Sequence, residues 1–234
     1  MFLFKHFSVL VIAVVFAVST AFAQSNSGRE MSVEESYLRE AIENMIIRET
    51  ARADTREQKL IALEYIGEAI NRGNTSDDVR ETLEYLSREG RRSVARENGR
   101  VINNFPDIRR QSAKYLGQIG TEEAKNALID ICQSENEPMV LQEAIKSLGD
   151  IGLNDNNETI AMIAWVVSRF DNLNPDNLLA IATIDAFEKI ARKNNGISSP
   201  DAVRLLIRIS EGHYIRPVQE RAKQLLAELR TYGN

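Results

Sequence analysis

Cys132 and His213 are the two side chains in the body of this chain that could serve as a nucleophile or a general base near neutral pH. The other histidine, His6, lies in an apolar N-terminal stretch. A nucleophile–histidine–carboxylate system would have to be built around His213 alone, and Gly212-His213-Tyr214 reads as the loop before the last helix. Zinc takes several His or Cys ligands at set spacing, which so few residues cannot supply. Cys132 follows Ile129 and Ile131 on a predicted helix, as a small thiol filling a core would. Carboxylates do come in pairs, Glu34-Glu35, Asp77-Asp78 and Glu122-Glu123. Each pair falls in the first turn of a predicted helix, where negative charge complements the helix dipole. Residues 150–158 are rich in Asp and Asn but lack the ordered ligand positions of a calcium loop, and read as a turn; no Gly-rich phosphate loop occurs. The sequence therefore predicts no catalytic residue, no cofactor and no metal.

Charge placed for binding is easier to find. Arg88, Arg91, Arg92, Arg96 and Arg100 precede Arg109 and Arg110, a basic cluster in a chain of formal net charge −5. Such a cluster either meets acidic groups of a partner or forms a solvated face, here with Glu89 and Glu97 interspersed. The acidic excess of the whole chain argues against nucleic-acid binding, which calls for a basic surface.

These side chains must be carried by helices. From Val33 onward apolar residues recur at three, four and seven (Val33, Tyr37, Leu38, Ala41, Ile42, Met45, Ile46), and no later stretch shows strand alternation. The fold class predicted is all-α. Self-similarity is the strongest signal. The run Pro106-Asp-Ile-Arg-Arg-Gln-Ser-Ala-Lys-Tyr-Leu-Gly-Gln-Ile-Gly120 repeats as Pro138-Met-Val-Leu-Gln-Glu-Ala-Ile-Lys-Ser-Leu-Gly-Asp-Ile-Gly152. Weaker copies start at Arg56, Asn177 and Arg216. Further stripes over residues 79–86, 124–131, 160–167 and 203–209 supply a partner helix for each, giving about five stacked helix pairs. Prolines 106, 138, 175, 200 and 217 stand at predicted helix starts, with Asn174 and Ser199 as N-caps, and Gly120 and Gly152 stand at helix ends. Residues 88–105 fit no repeat and read as an extra short helix or a long loop. Trp165, on a stretch apolar nearly all round, is expected to be buried between repeats.

The N-terminus reads as an export signal. Lys5 precedes an apolar run over residues 7–18, and Ala21-Phe22-Ala23 offers the small residues a signal peptidase reads, with cleavage after Ala23. The apolar run is short for a membrane span, so no stable membrane insertion is expected after cleavage, although an uncleaved anchor is the alternative. Loss of Lys5 takes the net charge from −5 to −6. Residues 24–31 are polar and aperiodic, a flexible tether, and 32–232 form the repeat domain. A lone cysteine forms no intramolecular disulfide, so packing must hold the domain together.

The two best copies resemble HEAT-like repeats of the short bacterial type, whose second helix reads roughly acidic-Pro-x-Val-Arg-x-x-Ala-x-x-Ala-Leu-Gly-x-Ile-Gly. Pro106, Asp107, Ile108, Arg109, Ser112, Leu116, Gly117, Ile119 and Gly120 match it. Leu141 departs from the arginine at its position, and the later copies lack the Leu-Gly pair. The resemblance implies a superhelix of helix pairs, an armadillo-type fold, whose second helices line a surface used to bind proteins. With Ile108, Ser112, Leu116 and Ile119 facing the core, Arg109, Arg110 and Lys114 fall on the outer side, and Gln142, Lys146 and Asp150 one repeat along. These six form the expected contact row. The function expected is that of an exported, periplasmic or extracellular, non-catalytic scaffold binding a protein partner. The alternative is a self-assembling structural subunit of a cell-envelope complex, a homo-oligomer, and behind it a hydrolase on a helical scaffold.

Overall fold

Local signals place each helix end. Thr55 and Thr121 accept hydrogen bonds from the backbone N–H of Gln58 and Ala124, and Asp176 from those of Leu178 and Leu179, satisfying donors that a helix start leaves open. Pro106, Pro138 and Pro200 occupy first helical positions. Gly120 and Gly152 end their helices at φ 73° and 69°, left-handed conformations that cost glycine little, and their N–H groups return to the Leu116 and Leu148 carbonyls.

The computed structural model describes residues 32–171 and 175–233. The signal segment 1–23 with its cleavage site, the tether 24–31 and Asn174 lie outside the described residues. The helices are α1 (Val33–Ala51), α2 (Arg56–Asn71), α3 (Asp77–Ser87), α4 (Pro106–Ile119), α5 (Glu122–Ser134), α6 (Pro138–Ile151), α7 (Glu158–Asp171), α8 (Asn177–Lys193), α9 (Pro200–Glu211) and α10 (Arg216–Leu229). All five repeat copies read from the sequence begin a helix at the residue expected. The capping of α8 differs: Pro175 precedes it and Asp176 is the N-cap, because its carboxylate reaches two N–H groups.

The chain divides into two units, residues 1–42 and 43–234. In the first, the described part is the start of α1, with Val33, Tyr37, Leu38 and Ile42 exposed. The second unit holds two layers. α4 packs on α6 and α6 on α8, with α2 and α10 beyond them, while α3, α5, α7 and α9 form the other layer. Equivalent positions are equivalently buried. Ile108, Val140, Leu179 and Val218 are one row of the core, Ser112, Ala144, Thr183 and Ala222 a second, and Leu116, Leu148 and Phe187 a third. Each large apolar side chain so buried contributes about 1.5–3 kcal/mol. Ser112 and Thr183 keep their hydroxyls satisfied by donating to the carbonyls of Ile108 and Leu179.

Three expectations change. In α1 the residues buried are Asn44, Ile47 and Ala51, whereas Met45 and Ile46 of the predicted stripe are exposed. No described helix precedes α1, so only the side that meets the α2–α3 corner is covered; there Asn44 bonds Ser76 and Asn74, and Arg48 lies 3.3 Å from Asp78. Residues 88–105 hold a small antiparallel hairpin, β1 (Arg96–Glu97) and β2 (Arg100–Val101), turning at Asn98-Gly99 with φ 48° and 80°. That dipeptide is a strong hairpin-turn signal. Trp165 is exposed, not buried between repeats. On α7 the core is filled by Ile160, Ile163, Val166 and Val167, which leaves the indole on the outer side.

Candidate binding surface on the second helices

The expected contact row divides by helical position. Arg110, Lys114, Lys146 and Asp150 are exposed and Gln142 is half-buried. Arg110 and Lys146 both approach the Glu143 carboxylate, at 3.6 and 3.4 Å, and Asp150 lies 2.6 Å from Lys189 Nζ. Arg110, Gln142 and Lys146 border a groove of about 400 Å³ that runs over α4, α6 and α8. Its remaining wall comes from Met139, Glu143, Leu178, Ile181, Ala182, Asp185, Ala186 and Lys189. Met139, Leu178 and Ile181 are exposed apolar residues at the start of α6 and α8, and the charged side chains follow one to two turns further along. A partner laid across this surface would meet apolar contacts first and charges next. The apolar members escaped sequence reasoning because an exposed leucine has the same spacing as a core one.

Arg109 does not belong to the row. It is fully buried, its Nε donates to Glu135 Oε2 at 2.6 Å, and Nη1 donates to the Glu89 carbonyl and to Asn104 Oδ1 at 3.0 and 2.9 Å. Its helical position points inward in three other copies, where Lys59, Leu141 and Ala180 are also buried, and is half-buried at Gln219 in the last. Lys59 makes the matching pair with Glu89 at 2.6 Å, and Glu89 accepts from Asn103 Nδ2. The two pairs pin the 88–105 segment between α2, α4 and the α5–α6 corner. Leu141 and Ala180 were the signal that could have found this, since an apolar residue at the same repeat position marks the position as interior.

The basic cluster is largely spent within the chain. Arg88 and Arg92 lie 3.6 and 3.1 Å from Asp130, and Arg91 donates to the Ser134 carbonyl at 2.7 Å. Arg96 and Arg100 stand on the exposed hairpin, where Arg96 donates to the Gly99 carbonyl. Cys132 is wholly buried, and burial pushes its thiol up to about 12, opposed by the charge of Arg169. His213 is exposed in the turn before α10. Among the described residues no group of His, Cys, Asp and Glu is placed to hold a metal ion, and no helix is long and apolar enough to cross a membrane.

A family model described as HEAT repeats matches residues 100–166, from the hairpin to α7. No curated protein matches the sequence. Among solved structures, the chain is similar to one from the complex of CpcE and CpcF of phycocyanin lyase from Nostoc sp. PCC7120. The two share 16% identity with a TM-score of 0.55, over 89% of this chain and 70% of that one. With two layers of paired helices, equivalent buried rungs and that match, the chain is a HEAT-like α-helical repeat protein.

Proposed function

We propose that the protein is an exported, non-catalytic scaffold that binds a protein partner across α4, α6 and α8. One observation carries this reading. The groove joins exposed apolar side chains (Met139, Leu178, Ile181) to charges of both signs (Arg110, Lys146 and Lys189, Glu143 and Asp185) on three neighbouring second helices, the mix of apolar centre and charged border found at protein interfaces. Support also comes from the similar structure, which belongs to a complex of two proteins. The buried, unreactive thiol of Cys132 and the exposed position of His213 favour holding over catalysis. Export rests on the N-terminal sequence and carries the chain to the periplasm or beyond.

Reversing Lys114 and Lys146 to Glu tests the surface. Both side chains are solvent-exposed, so the variant should keep its helical circular dichroism and melting temperature while losing about tenfold or more in partner capture, measured by pull-down with mass spectrometry. Unchanged capture by a folded variant would refute the assignment.

A further inference from the structure

Two asparagines of this chain, Asn98 and Asn195, are followed by glycine, and the fold treats them oppositely. An Asn-Gly pair can react with itself. The glycine nitrogen attacks the side-chain amide carbon of the asparagine, ammonia leaves, and water opens the resulting five-membered succinimide to aspartate or isoaspartate. Glycine permits the attack because no Cβ shields its nitrogen. In a folded chain that nitrogen must also be unengaged, and the backbone at the asparagine must be free to rotate until the amide carbon comes within reach.

Asn98 meets both conditions. With Gly99 it forms the exposed apex of the β1–β2 hairpin, where a Cβ built on Gly99 would meet nothing within 4 Å. Among the described residues the Gly99 N–H donates to no backbone carbonyl. The strands are two residues each, with Arg96, Glu97, Arg100 and Val101 all exposed, so opening the apex costs little. Below it the segment stays anchored, because the Ile102 N–H donates to the Ala95 carbonyl at 3.0 Å and the Ala95 N–H to Asn103 Oδ1 at 2.8 Å.

Asn195 meets neither condition. It is the left-handed residue, φ 53°, just past the end of α8, and the Gly196 N–H is tied to the Ala191 carbonyl at 2.8 Å, a common helix closure. Beside it the Asn194 side chain donates to the carbonyls of Gly152 and Ile190 at 2.9 and 2.8 Å. Gly196 sits so close to Tyr232 that a Cβ there would lie 2.9 Å from the tyrosine Cβ. Rotation at Asn195 would break these contacts.

We propose that Asn98 is a site of self-modification, at which the Gly99 nitrogen displaces ammonia and the folded chain acquires an aspartate or isoaspartate, while Asn195 is preserved. The product changes the hairpin in charge and in shape. A carboxylate arrives beside Arg96 and Arg100 and cancels the single positive charge that these two and Glu97 leave in excess. Isoaspartate also routes the main chain through the former side-chain carbon, a longer link that no longer fits a two-residue turn. The hairpin is therefore the part of the surface that alters with the age of the protein.

Incubation of the purified protein at mildly alkaline pH, followed by peptide mapping with mass spectrometry, tests this. The Asn98 peptide should gain about 1 Da as amide becomes acid, with isoaspartate among the products. It should do so at least about tenfold faster than the Asn195 peptide. In urea the two sites should react at similar rates, because both hold the same dipeptide and only the fold separates them. The proposal is overturned by no mass gain at Asn98, by aspartate as its only product, which would exclude attack by Gly99, or by equal rates at the two sites in the folded chain. A difference that persists in urea overturns it too, since the cause would then lie in the local sequence.

Discussion

Glu135 meets more partners than any other buried carboxylate described above. It sits beside Arg109 and also accepts from the backbone N–H groups of Asn136 and Glu137. Burial alone would push its carboxyl up. The Arg109 hydrogen bond, the two backbone N–H groups and the Arg109 charge outweigh burial and hold it below the usual carboxylate range. A carboxylate with a lowered folded pKa contributes stability above its unfolded value of about 4.3, and that contribution is lost as pH falls through the folded value. Glu135→Gln should therefore cost about 3–5 kcal/mol at neutral pH by leaving Arg109 buried and unpaired. The variant should also lose less stability than the parent on further acidification. Urea midpoints at neutral and acid pH measure both, and equal acid sensitivity in the two proteins would contradict this account. Arg109 also shows how a residue that matches a family pattern can be misassigned to a surface. Its type suggested solvent, whereas the apolar Leu141 and Ala180 at the same repeat position and its partners in the fold mark it as an interior tie.

At the scale of elements, the repeat is legible because its glycines do packing work. A Cβ on Gly117 would meet Ser147 Cβ at 2.6 Å, and one on Gly149 would meet Ala186 Cα at 2.6 Å. The glycine of one second helix thus faces the small residue at the tenth repeat position of the next. Alanine in place of Gly149 gains about 0.8–1.0 kcal/mol of helix propensity, whereas the overpacking against backbone costs typically 1–3 kcal/mol. Gly149→Ala should lower the melting temperature, and a rise would show that α6 and α8 are not in such close approach. The hairpin was less visible in the sequence, since its strands are two residues each and give no alternation to detect. Its Asn98-Gly99 turn was the available sign. The glutamate and arginine ties that hold 88–105 in place link residues far apart in sequence, where spacing says nothing.

Across the whole molecule, a repeat scaffold offers two layers, and each carries an exposed apolar group bordered by charge: Met139, Leu178 and Ile181 on one, Trp165, Val203 and Ile207 on the other. Export is checked on the chain itself: N-terminal sequencing of the secreted product should begin at Gln24, and a product retaining Met1 would exclude cleavage after Ala23.

The sequence by itself determined the helix starts, the five-fold repetition and the inward rows. These follow from short-range rules, namely proline and threonine at helix starts, glycine at their ends, and an apolar period matched to the helical turn. Tertiary structure decided which polar and aromatic side chains are free. Arg109 is buried because an acid from a distant corner reaches it, and Trp165 is exposed because branched aliphatic residues on the same helix already fill the core. Burial of a side chain depends on what the neighbouring helices bring to it, and a single helix's period does not contain that information.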